Sequence, residues 1–227
     1  MINYWNLIRK VYNTEYIYNS SKTKVSIIER VFDDLSIKPK TVAFINYNPI
    51  IELLADNYDV SIIESQKSLV NHEKVSIIGN NKKYFDVVLG LDEHLTYYAN
   101  EFEQRNELSK IADICNGWFI TTLADYKNSA PFKKNQVELL EFKNNNLVIE
   151  NHIADQLDKQ AWQSYYYQIE NHKDLTVVGP YQRRTLYFKQ LAKYASDLGS
   201  REYVIQKNAL YKGFAKRQWE HIITVRF

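Results

Sequence analysis

The sequence predicts an α/β fold, a mainly parallel sheet with helices on both faces. Short apolar runs of strand length recur at residues 41–45, 60–63, 75–78, 85–89 and 118–123. These runs are nearly continuous rather than alternating, as strands buried on both faces require. Helical stretches stand between several of them, and strands that alternate with helices argue for parallel pairing.

The elements follow in order. Residues 1–39 read as N-terminal helices. Ser20 and Ser21 are placed to cap a helix whose apolar face is Val25, Ile28, Phe32 and Leu35, and Pro39 ends it. After the first strand, Asn46-Tyr47-Asn48-Pro49 is loop chemistry, and Pro49 opens a short helix reaching Ala55. The second strand runs to Glu64. Only Gly79 to Tyr84 join the third and fourth strands, whereas a parallel crossover normally takes a dozen or more residues. Two alternatives stay open there: a bare crossover, or an antiparallel pair. A long helix should follow the fourth strand, with Leu95, Tyr98, Phe102, Ala112 and Cys115 on one face and Gly117 as its cap.

Beyond Leu123 the pattern changes. Residues 137–142 and 147–149 read as one hairpin, and 165–169 and 175–178 as another, so 124–180 is expected to be a β-rich insertion closed by Gly179-Pro180. Tyr187, Leu191, Tyr194 and Leu198 then mark a helix with Gly199 as C-cap. Strands at 203–206 and 221–226 finish the chain.

A length of 227 residues suits one domain, 1–227, carrying a sizeable insertion. Hydrophobic residues at 45% and charged residues at 25% exclude a disordered chain. A net charge of +2 says little about partners, since a dedicated nucleic-acid binder usually has a stronger basic excess; nucleic acid is possible but not favoured. The one cysteine, Cys115, rules out an internal disulfide, and no signal-peptide pattern or membrane-length apolar stretch is present, so a cytoplasmic protein without membrane association is expected. The five histidines show no metal-ligand spacing, so no metal is expected.

Three features resemble class I S-adenosylmethionine-dependent methyltransferases, whose fold is Rossmann-like. The first is the spacing of about 19 residues between the strand at 42–45 and Glu64. The second is the stretch from Tyr84-Phe85-Asp86 through Leu91-Asp92-Glu93-His94-Leu95. The third is the ending: a helix, Gly199, a strand, a loop and a last strand. The resemblance covers 40–123 and 183–227. It implies a Rossmann-like, mainly parallel sheet whose antiparallel last strand is inserted between the fifth strand and 203–206. It implies S-adenosylmethionine as cofactor and methyl transfer to an unknown acceptor. It places Asn46, Tyr47, Asn48, Glu64, Asn80 and Leu91 against the cofactor. Glu64 would take the ribose hydroxyls, because an acid ending the second strand faces the ribose of a nucleotide held over the first loop. One departure bears on this. The family's first loop is glycine-rich so that backbone can approach the cofactor, and here the loop carries no glycine. A non-catalytic Rossmann-like binding or assembly module is therefore the alternative function.

Other residues carry two readings each. His94 is the candidate catalytic base, since an imidazole can take a proton near neutral pH. Asp92 and Glu93 stand before a helix, where acids serve as caps. Glu64 reads equally as a solvated strand-end acid, and for Asn80 a simple turn asparagine is favoured. Arg183-Arg184 with Lys189, and Lys212, Lys216 and Arg217 among Tyr211, Phe214 and Trp219, mix base and aromatic as nucleic-acid binders do, but a solvated face with packed rings is favoured over nucleic acid. Trp162 and Tyr165 to Tyr167 suit either a substrate cleft or simple strand packing. Oligomeric state is not legible.

Overall fold

Four apolar runs become the inner strands of one sheet. A computed structural model describes residues 14–63, 70, 72–78, 83–124, 136–143, 146–170, 173–211 and 219–227. Strands β1 (Thr41–Phe44), β2 (Asp59–Ile63), β3 (Ser76–Ile78), β4 (Phe85–Gly90) and β5 (Cys115–Ala124) all run parallel. Strands β6 (Gln136–Lys143), β7 (Asn146–Ala154), β8 (Ala161–Glu170) and β9 (Asp174–Arg184) form a second, antiparallel sheet in that order. Strands β10 (Glu202–Tyr211) and β11 (Trp219–Arg226) return to the first sheet. Its order is β10-β11-β5-β4-β1-β2-β3, and β11 runs antiparallel to both neighbours. The inserted last strand and the β-rich insertion are thus as expected. Strands β3 and β4 are parallel and not adjacent, and the six residues between them are too few for a crossover helix.

Alternate residues of each inner strand enter two separate cores. Val42 and Phe44 of β1 join Val87 and Leu89 of β4, whereas Ala43 and Ile45 join Val88. Helix α1 (Thr14–Asp34) covers the first face through Ile28, Val31 and Phe32, and α2 (Ile50–Leu54) adds Ile50, Ile51 and Leu54. Helix α3 (Glu101–Ile114) covers the second face through Leu108 and Ile111, and α4 (Phe188–Asp197) adds Leu191 and Tyr194. Tyr166 and Val178 of the antiparallel sheet pack into the first core.

Three local expectations need correction. Ser20 and Ser21 lie inside α1, which is already helical at Thr14, so they do not cap it. The helix after β4 starts later than its apolar spacing suggests. Asn100 accepts from the Glu103 backbone N–H at 2.9 Å, and Glu103 accepts from the Ala99 N–H at 2.9 Å. That reciprocal cap fixes the start at Glu101 and turns a different face inward. Gln104, Leu108 and Ile111 are buried, and Phe102 is 78% exposed. Gly117 is not a helix cap but lies within β5, where a Cβ would stand 2.4 Å from the Asp86 carbonyl oxygen. Gly199 does end α4 as expected, at φ +84.

Asp86 ties the amino ends of β1 and β4 together. Its carboxylate accepts from the backbone N–H groups of Lys40 and Thr41 at 2.7 and 3.0 Å, and from the Thr41 hydroxyl at 3.2 Å. Burial pushes this carboxyl up, but the Thr41 and Lys40 hydrogen bonds and the Lys40 charge outweigh it and hold it below the ordinary value. A group depressed in this way stabilises the fold above its unfolded pKa and loses that contribution as pH falls through the folded one. Because Asp86 is exposed, Asp86→Ala is expected to remove only about 1 kcal/mol at pH 7. Denaturation at pH 7 and near pH 2 checks this: the two proteins should converge at the lower pH.

Candidate functional site

The strand order sets where a ligand crevice belongs. From β1 the chain moves outward through β2 and β3, then jumps to β4 on the other side. In open α/β sheets ligands bind at such a switch point, beyond the carboxyl ends of the strands. Here those ends are the loops after Phe44 and after Gly90.

The two loops are laced together by side chains. Asn46 donates its amide to the Leu91 carbonyl at 2.9 Å and accepts from the Leu91 N–H at 3.1 Å. Asn48 accepts from the Ile50 N–H at 3.2 Å, which helps start α2, and donates to Asp92 Oδ2 at 2.9 Å. The other oxygen of Asp92 lies 3.5 Å from Lys24 Nζ, which reaches in from α1. Tyr47 is 1% exposed and belongs to the first apolar core. Five of the seven residues singled out by sequence are therefore described. Asn46, Tyr47, Asn48 and Leu91 come together at the switch point. Glu64 and Asn80 lie outside the described residues.

Asp92 and Glu93 both have φ +55. Successive left-handed residues without glycine are costly, by about 1–3 kcal/mol each, and persist only where the surroundings impose them. The surroundings here are specific. The Glu93 N–H donates to Thr122 Oγ1 at 3.2 Å, and its carboxylate accepts from the Ala124 N–H at 3.2 Å and from Arg183 Nη2 at 3.1 Å. Arg183 also donates to Thr96 Oγ1 at 2.8 Å, and its guanidinium lies 4.2 Å from the Tyr97 ring centre and 5.2 Å from that of Trp162. This buried cluster fastens the antiparallel sheet to the loop that follows β4.

These contacts correct two readings. Asp92 does not cap α3, which begins at Glu101 with Asn100 as its cap. Arg183 is no part of a solvated basic face, being 2% exposed, and Arg184 pairs with Asp158 and Gln160. Lys212, Phe214, Lys216 and Arg217 lie outside the described residues.

His94 turns toward α3. Its Nε2 stands 3.4 Å from Glu107 Oε1 and 3.3 Å from the Tyr98 hydroxyl. Burial pushes the Glu107 carboxyl up, yet the His94 hydrogen bond and charge, with Lys110, leave it below its usual value. Burial, then Glu107, push the Tyr98 phenol up, so it remains a donor. Cys115 is buried, and burial raises its thiol to about 11, which fits a core residue rather than a nucleophile.

Lys24, Glu93 and Glu107 were not singled out as site residues. Lys24 did leave a signal: it lies four residues before Ile28, so a lysine interrupts the apolar stripe of α1. Among the described residues no helix is long and apolar enough to cross a membrane.

No protein-family profile matches the chain, and no curated protein matches its sequence. Solved structures do match. A S-adenosylmethionine-dependent methyltransferase from Clostridium acetobutylicum superposes with a TM-score of 0.68 at 9% identity, covering 89% of each chain. CalS10, a S-adenosylmethionine-bound amino pentose methyltransferase from Micromonospora echinaspora, gives 0.66 at 10% identity over 100% of this chain and 97% of its own. The CcbJ methyltransferase from Streptomyces caelestis gives 0.66 at 15% identity over 83% and 89%. The chain therefore has the class I methyltransferase fold.

Proposed function

We propose that this protein is a cytoplasmic S-adenosylmethionine-dependent methyltransferase for a small-molecule acceptor. The fold over nearly the whole chain supports this reading, because the similar CalS10, an amino pentose methyltransferase bound to S-adenosylmethionine, matches along 97% of its own length. The groups at the switch point fit the cofactor in kind. Asn46, Asn48 and the Leu91 peptide offer donors and acceptors, and Asp92 and Lys24 offer both charges. They are paired with one another, so binding would exchange these pairs rather than fill open space. Glu64 is assigned to the ribose hydroxyls and Asn80 to the adenine.

When bound, the cofactor supplies an electrophilic methyl group. The chain's own task is to hold an acceptor in line with it and exclude water, and such positioning accounts for much of the rate in methyl transfer. The β-rich insertion, 124–180, is assigned to the acceptor side; Arg183, just beyond it, ties β9 to Glu93. His94 is the assigned base for an acceptor that must first lose a proton, its ring oriented by Glu107.

A second reading, a non-catalytic binding or assembly module, is favoured by one observation: Asn46 already occupies both backbone groups of Leu91 where a glycine loop would leave them to ligand. Isothermal titration decides. Wild type should bind S-adenosylmethionine with micromolar affinity, about 8 kcal/mol. Glu64→Ala should weaken it by about ten- to a hundredfold, the worth of a charged hydrogen bond. If the loop is what closes the site, Tyr47→Gly should bind where wild type does not. No heat from any of the three rejects the enzyme reading.

A further inference from the structure

We propose that the outward face of the antiparallel sheet is where a second copy of this chain docks, the two sheets packing face to face about a two-fold axis that passes near Tyr167.

Alternation along β8 separates two faces. Trp162, Ser164, Tyr166 and Gln168 are buried, and Tyr166 enters the first core. The residues between them, Tyr167 and Ile169 included, point the other way and are only half-buried. The register carries this outward face across the sheet. Ile149 of β7 stands opposite Tyr167, Tyr167 opposite Val177 of β9, and Ile169 opposite Leu175. Ile153 follows on the same side of β7. Val177 is 50% exposed and Leu175 61%. None of these six residues belongs to a buried apolar cluster of the described residues. The first sheet has helices over both of its faces. A sheet that is apolar on both sides needs a layer over each, and among the described residues the second sheet has one on its inward side alone.

Size and charge choose the occupant. Strands in a sheet lie about 4.8 Å apart and rise about 3.4 Å per residue. Four strands of 8, 9, 10 and 11 residues therefore give a face of about 600 Å² before side-chain relief is added. A standard interface takes roughly 800 Å² from each partner, so this face with its rim has the size that a stable dimer needs. No outward position of β7 or β8 carries a charge, and Arg184 of β9 is paired with Asp158. Such a face offers nothing to steer a nucleic acid, an anionic lipid surface or a charged peptide. A copy of itself meets it without like-charge repulsion, and a net charge of +2 per chain adds little. Apolar sheet faces stack about 10 Å apart with strands aligned within about 30°. An isologous contact puts the same patch on both sides. Tyr167 is the middle of the row Ile149, Tyr167, Val177, so the axis sets it beside its own copy.

Light scattering and sedimentation equilibrium of the full chain test this. Wild type should give about twice the 26.9 kDa of one chain at micromolar concentration. Tyr167→Glu and Tyr167→Lys should each weaken the dimer at least about a hundredfold, because each sets two like charges together at the axis. Mixed in equal amounts, the two variants should associate again, since a carboxylate then meets an ammonium. Circular dichroism identifies a variant that has lost the fold. In that case Leu175→Ser combined with Val177→Ser, at more exposed positions, should show the same loss of dimer. Wild type that stays monomeric up to about 100 μM overturns the proposal. So do folded variants that dimerise as wild type does, which would place the contact elsewhere, and a mixture of the two charged variants that stays monomeric.

Discussion

Arg183→Met is expected to lower the unfolding free energy by about 3–5 kcal/mol, the usual consequence of removing one partner from a buried ion pair. The side chain is almost wholly buried and donates to both Glu93 and Thr96. Methionine keeps the packing against Tyr97 and Trp162, so the loss isolates the charge. Without the guanidinium, the Glu93 carboxylate keeps the Ala124 N–H but loses its cation. A second variant, Arg183→Met with Glu93→Leu, should recover much of the stability, because no buried charge is then left uncompensated. It should not recover all, since the Ala124 N–H loses its acceptor, at about 1 kcal/mol. Urea denaturation of the three proteins gives the comparison. A loss below about 1 kcal/mol for Arg183→Met would mean that the pair is solvated in solution, as weak surface pairs are.

That pair also shows where sequence reading reaches its limit. The two sheets were legible because periodicity reports which face is wet. Continuous runs gave β1, β2, β4 and β5, and the paired runs at 137–142 and 147–149 gave the β6–β7 hairpin. The antiparallel last strand followed from resemblance, and the register of Ile222 against Thr122 and Gln206 bears it out. Arg183, by contrast, sits next to Arg184 in the chain but on the opposite side of an edge strand. Alternation within β9 sends one inward to Glu93 and the other outward to Asp158, and no local signal says which.

The candidate site divides in the same way. The loop at Asn46 to Pro49 was found because it stands after a buried strand and before a helix. What its side chains do was not legible, since their partners, Leu91 and Asp92, lie more than forty residues away. Asp86 is the instructive case. It stands in the stretch that resembles the family, yet its carboxylate works at the amino ends of the strands, away from the crevice, on Lys40 and Thr41. Lys24 was readable only as an exception, a charge on an apolar stripe, and Asp92, which it meets, lies on a loop brought to it by the strand order.

Gly117→Ala is expected to be the most damaging single-methyl change in the central sheet, lowering stability by about 3 kcal/mol, the upper part of the range for overpacking. The reason is backbone against backbone. A Cβ at this position would stand 2.4 Å from the Asp86 carbonyl oxygen and 3.3 Å from its carbonyl carbon, with no flexible side chain to move aside. Strand β5 lies against β4 here at a shift in register between Phe85 and Val87, so the two strands must separate to admit the methyl group. Separation would pull Asp86 away from Lys40 and Thr41 and so disturb the start of β1. Gly199→Ala makes the control. Nothing lies within 4 Å of that position, but its φ of +84 penalises any Cβ, by about 1–2 kcal/mol. Thermal melts of both variants should therefore rank Gly117→Ala below Gly199→Ala. Crystallography of the former should find β4 and β5 spread around Asp86, whereas an unchanged melting temperature would show that the close approach relaxes without strain.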